Sequence, residues 1–108
     1  MSHEIDDIVK LNNLFDLYQN LLTDKQQSYF TYYFREDYSL GEIADLMDVS
    51  RNAVHWQIKK ITSYLKSYEE KLKLLEKQEK RNHLLEQLKD DEQFPSSLVA
   101  QLDKIKKV

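Results

Sequence analysis

The chain has 108 residues, of which 41% are hydrophobic and 32% are charged, and its formal net charge is −3. With one glycine, one proline and no cysteine, it offers few helix breakers and no disulfide or thiolate metal site, so we predict an all-α protein of a reducing cytoplasm. Because no apolar run approaches ~20 residues and no signal peptide is recognisable, we expect neither membrane insertion nor secretion by that route.

The first two predicted helices are scaffold. The first has a broad apolar face, formed by Ile8, Leu11, Leu14, Phe15, Tyr18, Leu21 and Leu22. Thr23 and Gln26 form a capping box that opens a second helix, which reaches to about Glu36. Helical spacing predicts core positions for the aromatic residues Phe30, Tyr33 and Phe34, and leaves Tyr29 or Tyr32 for an edge.

Residues 39–66 have the pattern of a helix-turn-helix. Ser39 and Glu42 form a capping box at the start of its first helix, whose predicted buried stripe is Ile43, Ala44 and Met47. Asp48 and Val49 make the turn, and Asp48 stands where such turns often need a positive φ, which Asp tolerates better than most residues. Ser50 caps the second helix. A helix-turn-helix is typical of nucleic-acid-binding proteins, but the same three-helix unit also serves as a protein-interaction domain. Both functions stay open.

The second helix of this motif has two distinct faces. Val54, Ile58, Ile61 and Leu65 form one stripe, which must be core. No carboxylate lies between Asp48 and Glu69, whereas residues 1–48 carry ten acidic and three basic residues. A recognition helix needs amide and guanidinium groups for base edges and lysines for phosphates. The candidate nucleic-acid-binding residues are therefore Ser50, Arg51, Asn52, His55, Trp56, Lys59, Lys60 and Ser63.

The candidate nucleic-acid-binding residues also have other interpretations. The lysines are also compatible with an ordinary solvated face, and Trp56 with packing on the C-terminal helices or on a second copy of the chain. His55 lacks the spacing to other histidines that a metal site requires, so we expect no metal and no cofactor. The sequence also lacks a phosphate-binding glycine loop or a catalytic triad pattern, so we do not expect an enzyme.

Nothing in the sequence stops helix propagation after this motif until Phe94 and Pro95. An apolar seam with spacings of three and four continues through Leu72 and Leu75, and an unbroken helix from Ser50 to Lys89 would be about 60 Å long. We therefore expect a long C-terminal helix and a homodimer formed through it, while the alternative that this seam covers the first helix within one chain stays open. A last, short amphipathic helix is predicted after Pro95, with its apolar side formed by Leu98, Leu102 and Ile105.

The segments LFDLYQ, LLTDKQ, DYSLGEIA and VSRNAV together resemble the YlxM family of bacterial helix-turn-helix proteins, over about residues 8–81. The motif is also similar to region four of bacterial sigma factors. At the exposed face the chain departs from the family, because His55, Trp56 and Gln57 replace the more usual Tyr, Asp and Asn. The resemblance implies a fold of helices around this motif. From the helix pattern we predict a helical domain over residues 1–68 that contains the helix-turn-helix at 39–66, followed by a helical extension over residues 69–108 as a candidate dimerisation element.

The resemblance also implies a regulatory or accessory role in the signal recognition particle (SRP) pathway, with SRP RNA or its GTPase as partner. Two alternatives remain open at this point: a sequence-specific DNA-binding transcriptional regulator unrelated to SRP, and an adaptor that binds only proteins. An acidic total charge predicts weak affinity for random DNA, because few phosphates are neutralised.

Overall fold

The computed structural model describes residues 2–106, with side chains from residue 6 onward, and all of its regular elements are helical. The predicted all-α class is confirmed. Six α-helices follow one another in the chain: α1 Ser2–Tyr18, α2 Asp24–Phe30, α3 Leu40–Met47, α4 Arg51–Leu72, α5 Leu74–Lys89 and α6 Val99–Lys106. They divide into two compact units, Met1–Leu72 and Lys73–Val108.

The first unit packs α1, α2 and α3 around α4. Its core consists of apolar side chains that are at least nine-tenths buried: Leu11, Leu14, Phe15, Tyr18, Leu22, Tyr29, Phe30, Ile43, Ala44, Val54, Ile58, Ile61 and Leu65. The rings of Phe15 and Phe30 stack at 4.2 Å and join α1 to α2. The Tyr18 hydroxyl donates a 2.7 Å hydrogen bond to Glu69 and ties α1 to the last turns of α4. Two residues of the apolar face predicted for the first helix, Ile8 and Leu21, do not belong to this core because they are exposed.

A turn of π-helix over Thr31–Arg35 extends α2 and changes which aromatic residues are buried. The Glu36 amide donates to the Thr31 carbonyl, five residues back, which defines the wider turn. Tyr29 lies before this turn, on regular α2, and is buried. Because the wider turn shifts the helical phase of the residues within it, Tyr33 is exposed. The predicted core position of Tyr33 is therefore wrong, whereas Phe30 is fully buried as predicted and Phe34 is half-buried. Of the two residues predicted as alternatives for an edge, Tyr32 is half-buried and Tyr29 is in the core.

The expected unbroken helix from Ser50 to Lys89 is also wrong. α4 ends at Leu72, Lys73 takes a left-handed conformation with φ 55°, and α5 starts at Leu74. A left-handed residue other than glycine costs about 1–2 kcal/mol, which is less than the roughly 1.5–3 kcal/mol gained by burying each of Leu75 and Leu85 on α5. The expectation of a homodimer was based on a single unbroken helix, so it loses that support.

The second unit is a helical hairpin in which α5 packs against α6. Leu102 of α6 is buried, while Leu98 and Ile105, predicted to share its apolar side, are each more than one-third exposed. Lys89 of α5 forms an ion pair with Asp103 of α6 at 3.0 Å, and Lys106 of α6 pairs with Glu86 of α5. Both ion pairs therefore connect the two helices of this hairpin.

Candidate nucleic-acid interface

The helix-turn-helix is formed by α3, a tight turn and α4. Both reciprocal hydrogen bonds of the predicted capping box are present at the start of α3, from the Ser39 N–H to Glu42 Oε1 at 3.0 Å and from the Glu42 N–H to Ser39 Oγ at 3.0 Å. The backbone N–H and the hydroxyl of Ser39 hold the pKa of Glu42 below its ordinary value, because they stabilise the carboxylate. This local network fixes where α3 begins.

The turn has the geometry that the sequence indicates. Asp48 ends α3 in the left-handed region with φ 55° and ψ 50°, and its N–H donates to the Ala44 carbonyl. Ser50 Oγ then accepts a 3.0 Å hydrogen bond from the Ala53 N–H, which caps α4 as predicted. With one residue in the left-handed region, the chain changes direction within the three residues 48–50, and α4 packs directly on α3.

One side of α4 is buried and the opposite side is open. The predicted stripe of Val54, Ile58, Ile61 and Leu65 lies in the core, with Val54, Ile61 and Leu65 fully buried. All the candidate contact residues are exposed, namely Ser50, Arg51, Asn52, His55, Trp56, Lys59, Lys60 and Ser63. The fold therefore presents these side chains together on one helix, over its first three to four turns.

Arg51 differs from the other candidates in where its side chain lies. Its Nε atom is 3.8 Å from the position that a Cβ on Gly41 would occupy, so the guanidinium runs back along the first turn of α3. At 100° per residue, Arg51 also points well away from Trp56 and toward the buried side of α4. The open face is consequently dominated by Asn52, Trp56 and Lys59.

Trp56 is the centre of the open face. Its side chain is 67% exposed, and Lys59 Nζ lies 5.7 Å from the centroid of its ring, within the range of a cation–π contact. The His55 ring meets the indole edge-on with centroids 6.5 Å apart. A shallow groove runs from Trp56 along Gln57, Lys59, Lys60 and Ser63.

The cations of α4 are available to an external anion. Among the described side chains, Arg51, Lys59, Lys60 and Lys66 form no ion pair with a carboxylate. Lys60 Nζ instead lies 5.7 Å from the centroid of the Tyr64 ring. Of these cations, Lys59, Lys60 and Lys66 lie on the open face and create a positive potential there, although the whole chain is acidic.

Two residues of this surface were absent from the candidate set. Gln57 lines the groove beside Trp56, and Lys66 lines a second shallow depression one turn beyond Ser63. Lys66 could have been included from the sequence, because the segment without carboxylates continues past it to Glu69. The position of Gln57 between the two faces of α4 gave no such signal.

Within residues 2–106, no group of three or more His, Cys, Asp or Glu side chains is arranged to hold a metal ion. None of the helices described is both long enough and apolar enough to cross a membrane.

Comparison with known proteins agrees with this geometry. Residues 5–105 match the family model UPF0122, described as "Putative helix-turn-helix protein, YlxM / p13 like". A UPF0122 protein of Halalkalibacterium halodurans is 52% identical over 86 residues, which cover 80% of this chain and 79% of the relative. One from Oceanobacillus iheyensis is 54% identical over 85 residues, covering 79% and 81%. YlxM of Bacillus subtilis is 43% identical over 102 residues, covering 89% and 93%. The resemblance inferred from the sequence is thus confirmed, and the chain belongs to the UPF0122 family of YlxM-like helix-turn-helix proteins.

Proposed function

We propose that this protein is a DNA-binding regulatory protein that reads a specific duplex sequence with the N-terminal half of α4. One observation carries the proposal: α4 turns an open face free of carboxylates, with Asn52, Trp56, Lys59 and Lys60, away from the core. A helix with its side chains is about 10–12 Å across, which matches the roughly 12 Å width of the major groove of B-DNA.

The order of side chains along α4 suits base contacts near its N-terminus and phosphate contacts further along the helix. Asn52 lies in the first turn, where recognition helices meet base edges, and an amide pairs in bidentate fashion with adenine N6 and N7. Lys59 and Lys60 follow two turns later, where their ammonium groups can reach phosphates. From Arg51 to Ser63 the helix is about 18 Å long, enough to follow about five base-pair steps of 3.4 Å.

The acidic residues outside α4 lower the affinity for random DNA, so that specific base contacts become more important for binding. Residues 1–48, which form α1 to α3, contribute a charge of −7 that repels phosphates from the surfaces of these helices. Binding to random DNA is then weak, because most of that affinity comes from counterion release. A protein of this kind relies on base contacts to remain at its site.

Asn52→Ala tests this proposal. A duplex is first selected from a random-sequence library, and its affinity and that of a scrambled duplex are measured by fluorescence anisotropy at fixed salt. We expect Asn52→Ala to reduce the ratio of the two affinities by about 5- to 150-fold, the range that corresponds to one bidentate base contact. Asn13→Ala, at an exposed asparagine of α1, is the matched control. An unchanged ratio in the Asn52 variant would show that this helix does not read bases.

A second proposal follows the family resemblance, namely binding of SRP RNA in an accessory role that includes contact with the SRP GTPase. It is favoured by the row of exposed lysines, Lys59, Lys60 and Lys66, because the deep, narrow groove of A-form RNA excludes a helix and leaves phosphates and loops for contact. Competition of labelled SRP RNA against the selected duplex distinguishes the two proposals. RNA binding would be weakened by Lys59→Ala with Lys60→Ala but not by Asn52→Ala, and light scattering of the complexes would give the number of chains bound.

A further inference from the structure

Trp56 is the most exposed of the large hydrophobic side chains in the described part of the chain, at 67%. An indole carries more apolar surface than any other side chain, and leaving it in water forgoes the free energy of its burial. It stands one helical turn after Asn52, in the middle of the cationic face. A binding partner that contacts Trp56 at this position should therefore be anionic and should carry an apolar group where it meets the indole.

The charge around Trp56 restricts what that occupant can be. The nearest charged groups along α4 are Lys59 and Lys60, and no carboxylate occurs from Val49 to Tyr68. Positive charge without acidic neighbours repels a basic protein surface and attracts a polyanion. The Lys59 ammonium, 5.7 Å from the ring centroid, also lies where it could reach a phosphate beside the indole.

Within the major groove of a DNA duplex, an indole can meet only base edges, because stacking hides the faces of paired bases. The apolar group on those edges is the C5-methyl group of thymine, whereas the other groups there are hydrogen-bond donors and acceptors. We therefore propose that Trp56 is a specificity-determining residue that contacts the methyl group of one thymine. This inference rests on the proposed binding of duplex DNA by α4.

The geometry of α4 also sets the spacing of the bases that it reads. Asn52 and Trp56 are four residues apart, which places them about 6 Å apart along the helix axis and on the same side. Base pairs rise by 3.4 Å, so the thymine read by Trp56 lies about two base pairs from the adenine read by Asn52. Uracil lacks the methyl group, so this contact also favours DNA over RNA.

Replacement of thymine by deoxyuridine tests the inference, because it removes one methyl group and keeps every hydrogen-bonding group of the base. In the duplex selected above, each thymine is replaced singly and the affinity is measured by anisotropy. We expect one replacement, about two base pairs from the adenine that Asn52 reads, to weaken binding about fourfold, the factor for burial of one methyl-sized group. Trp56→Ala should bind the thymine and uracil duplexes equally, whereas Leu84→Ala, at a 60% exposed side chain of the second unit, should retain the fourfold difference.

Trp56 is the only tryptophan of the chain, so its fluorescence reports directly on the contact. We expect its emission to change on binding of the thymine duplex, and to change less with the sensitive uracil duplex at saturation. Equal affinity for all the uracil duplexes, or a methyl effect that persists in Trp56→Ala, would overturn the inference and leave DNA binding intact. Failure to select any duplex would instead overturn the proposed function itself, and this contact with it.

Discussion

Removal of two lysines from α4 should change the salt dependence of nucleic-acid binding by a calculable amount. Lys59 and Lys60 lie exposed on the open face, together with Lys66 one to two turns further along. Arg51 is left out of the calculation because its guanidinium lies along Gly41 of α3. Three lysines are therefore positioned to neutralise phosphates.

Each phosphate contact on B-DNA contributes about −0.9 to the slope of log affinity against log salt concentration. Three contacts give a slope of about −2.7, so a rise from 50 to 200 mM salt weakens binding about 40-fold. In the variant with Lys59→Ala and Lys60→Ala, Lys66 alone remains and the slope falls to about −0.9. The same rise in salt then weakens binding only about 3.5-fold.

Fluorescence anisotropy at four or more salt concentrations measures both slopes. The matched control is Lys10→Ala with Lys25→Ala, which removes the same charge from exposed positions on α1 and α2 and should keep the slope near −2.7. Circular dichroism checks that each variant keeps its helices. If the α4 variant and the control have the same slope, then long-range charge alone governs binding, and the assignment of Lys59 and Lys60 to phosphates is wrong.

Three further predictions concern the scaffold that positions α4. Ile61→Ala should lower the free energy of unfolding by about 2–5 kcal/mol in urea titrations, because Ile61 is fully buried; a loss below about 1 kcal/mol would contradict the described core. Gly41→Ala should raise that free energy by about 0.4–1 kcal/mol, since Gly41 does not have a positive φ and an added Cβ would be 3.8 Å from its nearest neighbour, Arg51; destabilisation would show that Arg51 needs the space. Because the pKa of Glu42 is lowered in the folded state, its capping box stabilises the protein at neutral pH and this contribution is lost as the pH falls through that pKa. Glu42→Gln should lack this part of the acid dependence in thermal unfolding, because glutamine can keep the capping box but does not ionise. An unchanged pH profile would count against stabilisation of the Glu42 carboxylate by Ser39.

The helix-turn-helix was predictable because its determinants are local. A capping box needs two side chains three residues apart, and the structure contains both predicted boxes, at Thr23 and at Ser39. Asp48 takes the positive φ that the turn requires. The four-residue core stripe of α4 follows from helical periodicity alone, which is reliable over a helix of 22 residues.

Features that depend on a change of helical phase could not be predicted in this way. The π-helical turn at Thr31–Arg35 exposes Tyr33, for which helical periodicity predicts a core position. The left-handed Lys73 separates α4 from α5, which periodicity joins into one helix. Each of these two changes costs little free energy locally. Whether it occurs depends on how the flanking residues pack in the folded protein, and helical periodicity does not predict that packing. For the same reason, the sequence placed Arg51 on the first turn of α4 but did not indicate that its side chain would lie along α3.

The central claim is that the open face of α4 forms the nucleic-acid contact, and it is tested most directly by NMR titration of the ¹⁵N-labelled protein with the selected duplex. We expect the largest chemical-shift changes within residues 50–63, including the side-chain amide of Asn52 and the indole N–H of Trp56. Changes confined to α1, α2 or the second unit, with the resonances of α4 unmoved, would contradict the claim.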